Sequence, residues 1–207
     1  MPDPSLPAHE RVLRAAARKG VTLEVVSFPD TTHTAEDAAR AVGAELGQIV
    51  KSLVFVASGD DGLDGYLVLA SGANRVDVSR LAAVVGASDI RRATAREAAE
   101  LTGFVIGGIP PIGHARALKV IMDPDLGRFE KVWAAAGTHN AVFCVPPGTL
   151  RILSNATVAP IAEERRRDPA AEPVDRPAMS PREGSAGAEG LLDAGAGLEH
   201  AGASSRL

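Results

Sequence analysis

A mixed α+β domain is what the sequence predicts, on three observations. Segments with strand-like patterning outnumber helical ones, the two kinds interleave along the chain, and several strands are joined by tight turns. These features favour a mixed sheet over a doubly wound parallel one.

The first element is a helix over His9 to Lys19, with Val12, Leu13, Ala16 and Ala17 on one face and Gly20 at its end. Thr22 to Phe28 alternates as a strand. Thr34 with Asp37 three residues on has the pattern of a capping box and opens a helix that buries Ala35, Ala38, Ala39 and Val42. Ile49 to Val56, the Gly- and Asp-rich turn Gly59 to Gly65, and Tyr66 to Ala70 form a hairpin. Asp77 caps a short helix that buries Leu81, Val84 and Val85 and stops at Gly86, and Thr94 with Glu97 starts another that runs to Thr102 and Gly103. Further strands are expected at Lys119 to Met122, Phe129 to Ala134 and Ala141 to Val145, and a last helix from Pro146-Pro147 through Leu150 and Leu153. Residues 1–160 are expected to form the domain. From 161 to 207 the chain is rich in Ala, Gly, Pro, Arg and Glu and lacks aromatic residues, a composition that cannot offset the entropy of ordering, so a disordered tail is expected.

Composition narrows the function classes. The 207 residues, 45% hydrophobic and 23% charged, suit a soluble globular protein. No apolar run approaches the ~20 residues needed to span a bilayer, and the charges within Met1 to Gly20 do not suit a signal peptide, so a cytoplasmic protein with no membrane partner is expected. A single cysteine, Cys144, excludes an intramolecular disulfide and a multi-cysteine zinc site. The net charge is -4, and from Ile161 onward six arginines face nine acidic residues, which leaves the domain nearly neutral. Tracking of duplex DNA needs clustered cations. A nearly neutral domain can still grip one or two phosphates at an RNA terminus.

Lys51 is the most informative residue, because period-two alternation places it on the face of Ile49, Leu53 and Phe55. Burial of an unpaired ammonium costs several kcal/mol. Either this face opens into a cleft that holds an anion, or the lysine snorkels to water from a strand end. The segment Gly107-Gly108-Ile109-Pro110-Pro111-Ile112-Gly113 combines glycines, which let backbone approach a ligand, with prolines, which hold one shape. It is either an anion-binding or oxyanion loop or a rigid connection. Ala136-Gly137-Thr138-His139-Asn140 is a polar turn between strands, and its residues are also ordinary turn formers. Cys144 lies in an apolar strand, where a thiol is usually inert packing. The nucleophile-elbow pattern is absent. His33, His114 and His139 match no recognised metal-ligand spacing, so no metal and no cofactor are expected.

In combination and in order these segments resemble the YbaK/EbsC family, which includes the editing domain associated with prolyl-tRNA synthetase. The resemblance runs from Leu23 to Leu153 through Thr34 to Ala39, Ile49 to Phe55, Phe104 to His114 and Val132 to Phe143. It implies a mixed, strongly curved, barrel-like sheet with helices around it, and hydrolysis of the ester of misacylated tRNA. By position, Lys51 corresponds to the family's essential lysine, expected to hold the terminal adenosine's phosphate or to orient the ester. Gly107, Gly108, Ile109, Pro110 and Pro111 correspond to the loop whose amides face the aminoacyl carbonyl. Thr34, Ser52, Ser71, Gly113, His114, Gly137, Thr138, His139 and Asn140 are implied as substrate-binding residues. In the chemistry that the resemblance implies, a water attacks the carbonyl, the tRNA's neighbouring hydroxyl can assist, and no side-chain nucleophile is required.

The implied substrate is a small misattached amino acid such as Cys or Ala on tRNA for proline. The implied partners are the tRNA acceptor end and, as a further candidate, an aminoacyl-tRNA synthetase. His139 stands where relatives often carry proline, and Cys144-Val145 replaces a more usual Pro-Leu, which bears on the pocket wall. Two other readings are a non-catalytic aminoacyl-tRNA-binding module and a hydrolase of another small acyl ester.

Overall fold

The computed structural model describes residues 6–28, 34–60 and 62–164. The described residues fall within one compact unit, and from 165 on the tail expectation lies outside the described residues. Residues 161–164 belong to the folded chain: Ile161 is buried, its carbonyl accepts from Asp77 N–H (2.8 Å), and Glu163 N–H donates to Arg75 O (2.9 Å).

Helix α1 (Ala8–Ala17) buries Val12, Ala15 and Ala16, so its inward stripe is turned slightly from the expected one, with Ala17 exposed. Strand β1 (Val25–Ser27) is the short core of the expected Thr22 to Phe28 strand. Helix α2 (Ala35–Val42) carries the expected capping box: Asp37 N–H donates to Thr34 Oγ1 (3.1 Å) and Thr34 N–H to Asp37 Oδ2 (3.2 Å). β2 (Val50–Gly59) and β3 (Gly62–Ser71) form the expected hairpin. Helix α3 (Val78–Val85) is capped by Asp77 and buries Leu81, while Val84 is 40% exposed because that face meets solvent and not the sheet.

A two-residue strand, β4 (Arg91–Arg92), follows, which the sequence pattern does not predict. Helix α4 (Ala95–Thr102) starts at Thr94 and Glu97 as expected. Then come β5 (Lys119–Met122), β6 (Val132–Ala135), β7 (Ala141–Val145), α5 (Pro147–Ser154) and β8 (Thr157–Val158). Phe129, expected to begin β6, instead ends a 3-10 turn over Pro124–Arg128.

The strands make two sheets, β1-β7-β6 and β4-β2-β3-β5-β8, the latter mixed because β3/β5 and β5/β8 run parallel. The mixed α+β class therefore stands, but the barrel does not: neither sheet is closed or curled into one. Closure requires every strand to pair on both sides. The five-stranded sheet ends in two-residue edges at β4 and β8, and its link to β6 is an isolated bridge, Ile49 to Trp133.

The hairpin is buried on both faces, as its continuous apolar runs require. Val50, Val54, Leu67 and Leu69 pack with α1, β6, β7 and α5, and Phe55, Tyr66, Val68 and Ala70 pack with Leu81 of α3 and Ile121. A third cluster joins Ala38 and Ala39 of α2 to Ile49 and Trp133, and it brings α2 beside the first residues of β2. No helix among the described residues is long and apolar enough to cross a membrane.

Candidate active site

The start of β2, helix α2, the loop before Ile109, strand β6 and the β6–β7 turn enclose a cavity of about 230 Å³. Of the residues singled out in the sequence, Thr34, Lys51, Ser52, Gly107, Ile109, Thr138 and His139 line it together. Gly108, Pro110, Pro111, Ser71, Gly113, His114, Gly137 and Asn140 do not, and His33 lies outside the described residues.

Lys51 is half-buried, and its Nζ donates to Gly72 O (3.0 Å) and to Asn74 O. The ammonium is thus seated on carbonyls of the turn after β3, not on a carboxylate. Burial pushes its pKa below the usual lysine value. Glu36 opposes that shift, Arg75 and Arg92 add to it, and Asp123 opposes it.

The loop at Gly107 lies directly on the β6–β7 turn. A Cβ at Gly108 would stand 2.8 Å from Thr138 Cα, and one at Gly107, whose φ is +92°, would stand 2.5 Å from His139 Nδ1. Close backbone approach is therefore what the two glycines provide. Within the loop, Gly108 N–H donates to Val105 O (3.0 Å), and prolines 110 and 111 have no N–H. The amides of Gly107 and Ile109, both in the cavity wall, make no hydrogen bond among the described residues.

The remaining sequence-predicted residues hold this arrangement. Ser71 is buried, and its Oγ donates to Gly47 O (2.8 Å). Gly137, at φ +103°, packs on the backbone of Ala8, and Gly113 faces the backbone of Arg11. Thr138 Oγ1 donates to Asn140 Oδ1 (3.0 Å), and Asn140 Nδ2 donates to Phe28 O (3.1 Å), which ties the turn to the end of β1.

His114 Nε2 donates to Pro110 O (2.7 Å), and its ring meets Phe104 edge-on at 6.3 Å. Burial pushes the His114 pKa below its ordinary 6.5, and the bond to Pro110 offsets part of the shift. Because the unfolded chain then takes the proton first, stability is full above 6.5 and is lost as pH falls from there toward the lowered folded value. Thermal melts from about pH 8 to 5 should show this decline, and His114→Gln should flatten it.

Sequence reasoning missed several cavity residues. Arg92 reaches the wall from β4, paired opposite Phe55, with its guanidinium 5.8 Å from that ring. Its neighbour Arg91 is committed to Glu97 through two hydrogen bonds (2.9 and 2.7 Å). Nothing in the sequence distinguishes the two arginines. Trp133 and the small residues Ala35, Ala38 and Ala135 complete the apolar side. Ser52 Oγ and Trp133 Nε1 are buried with no hydrogen-bond partner among the described residues.

Cys144 is outside the cavity wall, and burial raises its thiol pKa, the opposite of what a nucleophile needs. No group of three His, Cys, Asp or Glu among the described residues could hold a metal ion.

A crystal structure of a candidate trans-editing enzyme for prolyl tRNA synthetase superposes with a TM-score of 0.71 at 48% identity, over 77% of this chain and 99% of that one. The uncharacterized protein YwhH of Bacillus subtilis is 33% identical over 135 residues, 65% of this chain and 83% of that protein. The multifunctional Ser/Thr-tRNA deacylase ProXp-y of Escherichia coli is 33% identical over 134 residues, 62% of this chain and 77% of its own length. Residues 29–153 match the aminoacyl-tRNA editing domain, and the chain belongs to that family.

Proposed function

We propose that the protein is an aminoacyl-tRNA deacylase that acts in trans, in the cytoplasm, on a small amino acid wrongly attached to the 3′ end of a tRNA. The observation that carries this reading is the convergence of Lys51, Gly107 and Ile109 on one small cavity, the amides of the two loop residues making no hydrogen bond among the described residues. An ammonium suits a phosphate or ester oxygen of the terminal adenosine, and Arg92 adds a second cation at the same wall. Two fixed N–H donors suit the oxyanion that forms when water adds to the aminoacyl carbonyl. The neighbouring ribose hydroxyl of the tRNA can assist the water, so no protein nucleophile enters the step.

The alanine-rich side of the cavity and its volume favour a small side chain. Alanyl and cysteinyl esters on tRNA for proline are the leading substrates, and the name of the E. coli relative adds seryl and threonyl esters to the set. An apolar pocket separates substrates by only ~1–3 kcal/mol per methylene, so several of these are expected to react at graded rates. The test is a panel of alanyl-, cysteinyl-, seryl-, threonyl- and prolyl-tRNA for proline. Hydrolysis of at least one mischarged species above background, with prolyl-tRNA spared, is the expected result. Background rates throughout would overturn the reading.

A further inference from the structure

A buried carboxylate lies behind the turn that holds Lys51. The carbonyls that receive its Nζ, those of Gly72 and Asn74, belong to the segment following β3. That segment is gripped from the other side by Asp123, the residue after β5, which is 1% exposed. Its Oδ2 accepts from Ser71 N–H (3.1 Å) and from Asn74 Nδ2 (2.9 Å), and its Oδ1 from Asp125 N–H (3.0 Å). Asn74 Nδ2 also donates to Asp125 Oδ2 (2.8 Å). Lys51 and Asp123 are thereby joined through the 71–74 segment, in which Asn74 turns its backbone carbonyl to Lys51 and its side chain to the carboxylates.

We propose that Asp123 is the positioning residue for Lys51: it fixes the 71–74 turn whose carbonyls orient the ammonium toward the cavity. The proposal rests on the reading of Lys51 as part of the deacylase site. A buried carboxylate satisfied by backbone and amide donors holds such a turn rigidly. An asparagine at position 123 presents an N–H₂ to one of those donors whichever way its amide turns. The charged groups around Lys51 are Glu36 from α2, Arg92 from β4, Arg75 beside the turn, and Asp123 itself. Removal of the Asp123 charge leaves the two arginines less opposed, so the ammonium loses its proton at lower pH.

The first experiment follows the titration of Lys51 by NMR of its side-chain carbon in the wild type and in Asp123→Asn, with Lys51→Ala identifying the signal. This readout does not depend on activity. The midpoint is expected to move to lower pH, and an unchanged midpoint and chemical shift would overturn the proposal even if the enzyme edits tRNA.

The second is a double-mutant cycle on the ester most rapidly hydrolysed. Asp123→Asn is expected to lower kcat by about 10²-fold, the scale of a misplaced catalytic group, with KM nearly unchanged. In the Lys51→Ala background it should add almost nothing, and losses that multiply would mean that Asp123 acts independently of Lys51. Should Asp123→Asn fail to fold, Asn74→Ala cuts the side-chain link while Asp123 keeps its bonds to the Ser71 and Asp125 amides. It is expected to move the Lys51 titration and kcat in the same directions by smaller factors, and an unaltered titration would refute the link. Failure of the whole ester panel would sink the deacylase reading alone, since the titration still decides the role of Asp123.

Discussion

Lys51→Ala should lower kcat/KM for the preferred ester by about 10²–10³-fold, the loss typical when one preorganised electrostatic group is removed from a reacting centre. The Nζ is held by two backbone carbonyls of the turn after β3 and Lys51 lines the cavity, where partial exclusion of water strengthens its attraction for an anion. Stability should change by no more than about 1 kcal/mol, because relief of a half-buried cation offsets the loss of hydrogen bonds to the Gly72 and Asn74 carbonyls. Lys51→Arg should not restore the rate. A planar fork cannot place its charge where a compact ammonium fits, so the two side chains are not interchangeable here. Single-turnover deacylation together with thermal unfolding separates these effects. A variant that is folded and fully active would remove Lys51 from the mechanism.

Gly108→Ala is the second change with a large expected effect. Its Cβ would meet Thr138 Cα and C at 2.8 Å, and backbone cannot rotate away as a side chain can. The 105–109 loop would have to lift off the turn, carrying the Gly107 and Ile109 amides with it. A displacement on that scale should reduce kcat by about 10²-fold, and the overpacking should destabilise the fold by about 1–3 kcal/mol. At Gly107 the clash is with the His139 ring, a side chain and not backbone, but φ is +92°, so backbone strain remains. Gly107→Ala should therefore lose activity with a smaller steric cost. Gly148→Ala, with nothing near its Cβ and an ordinary helical backbone, is the control and should leave activity unchanged. Equal behaviour of Gly108→Ala and Gly148→Ala would show that the loop does not need close contact with the turn.

Local signals carried much of the architecture. The capping boxes at Thr34 and Thr94 start α2 and α4 where expected, because a side chain that satisfies its own helix's first amides needs no distant partner. The β2–β3 hairpin, β5 and β7 follow from apolar runs bounded by turn residues. Elements that depend on neighbours were not legible: β4 and β8 are two residues each and exist only because β2 and β5 offer edges to pair with. The expectation of a barrel failed for a related reason, since closure depends on pairing across sheet edges that no local pattern encodes.

The sequence by itself determined that Lys51 sits on a face of apolar residues and that Gly107 to Pro111 form a constrained loop. It also showed that the nucleophile-elbow pattern is absent and that the single cysteine lies in an apolar strand. Tertiary structure alone decided which of these residues meet. It divided the expected site residues into a cavity wall, with Lys51, Gly107, Ile109 and His139, and a supporting frame, with Ser71, Gly113, His114 and Asn140. It also admitted Arg92 and Trp133. The reason is physical: alternation and turn chemistry act over a few residues. The wall of a cavity and the carboxylate behind a lysine's seat are set by packing between segments up to about a hundred residues apart.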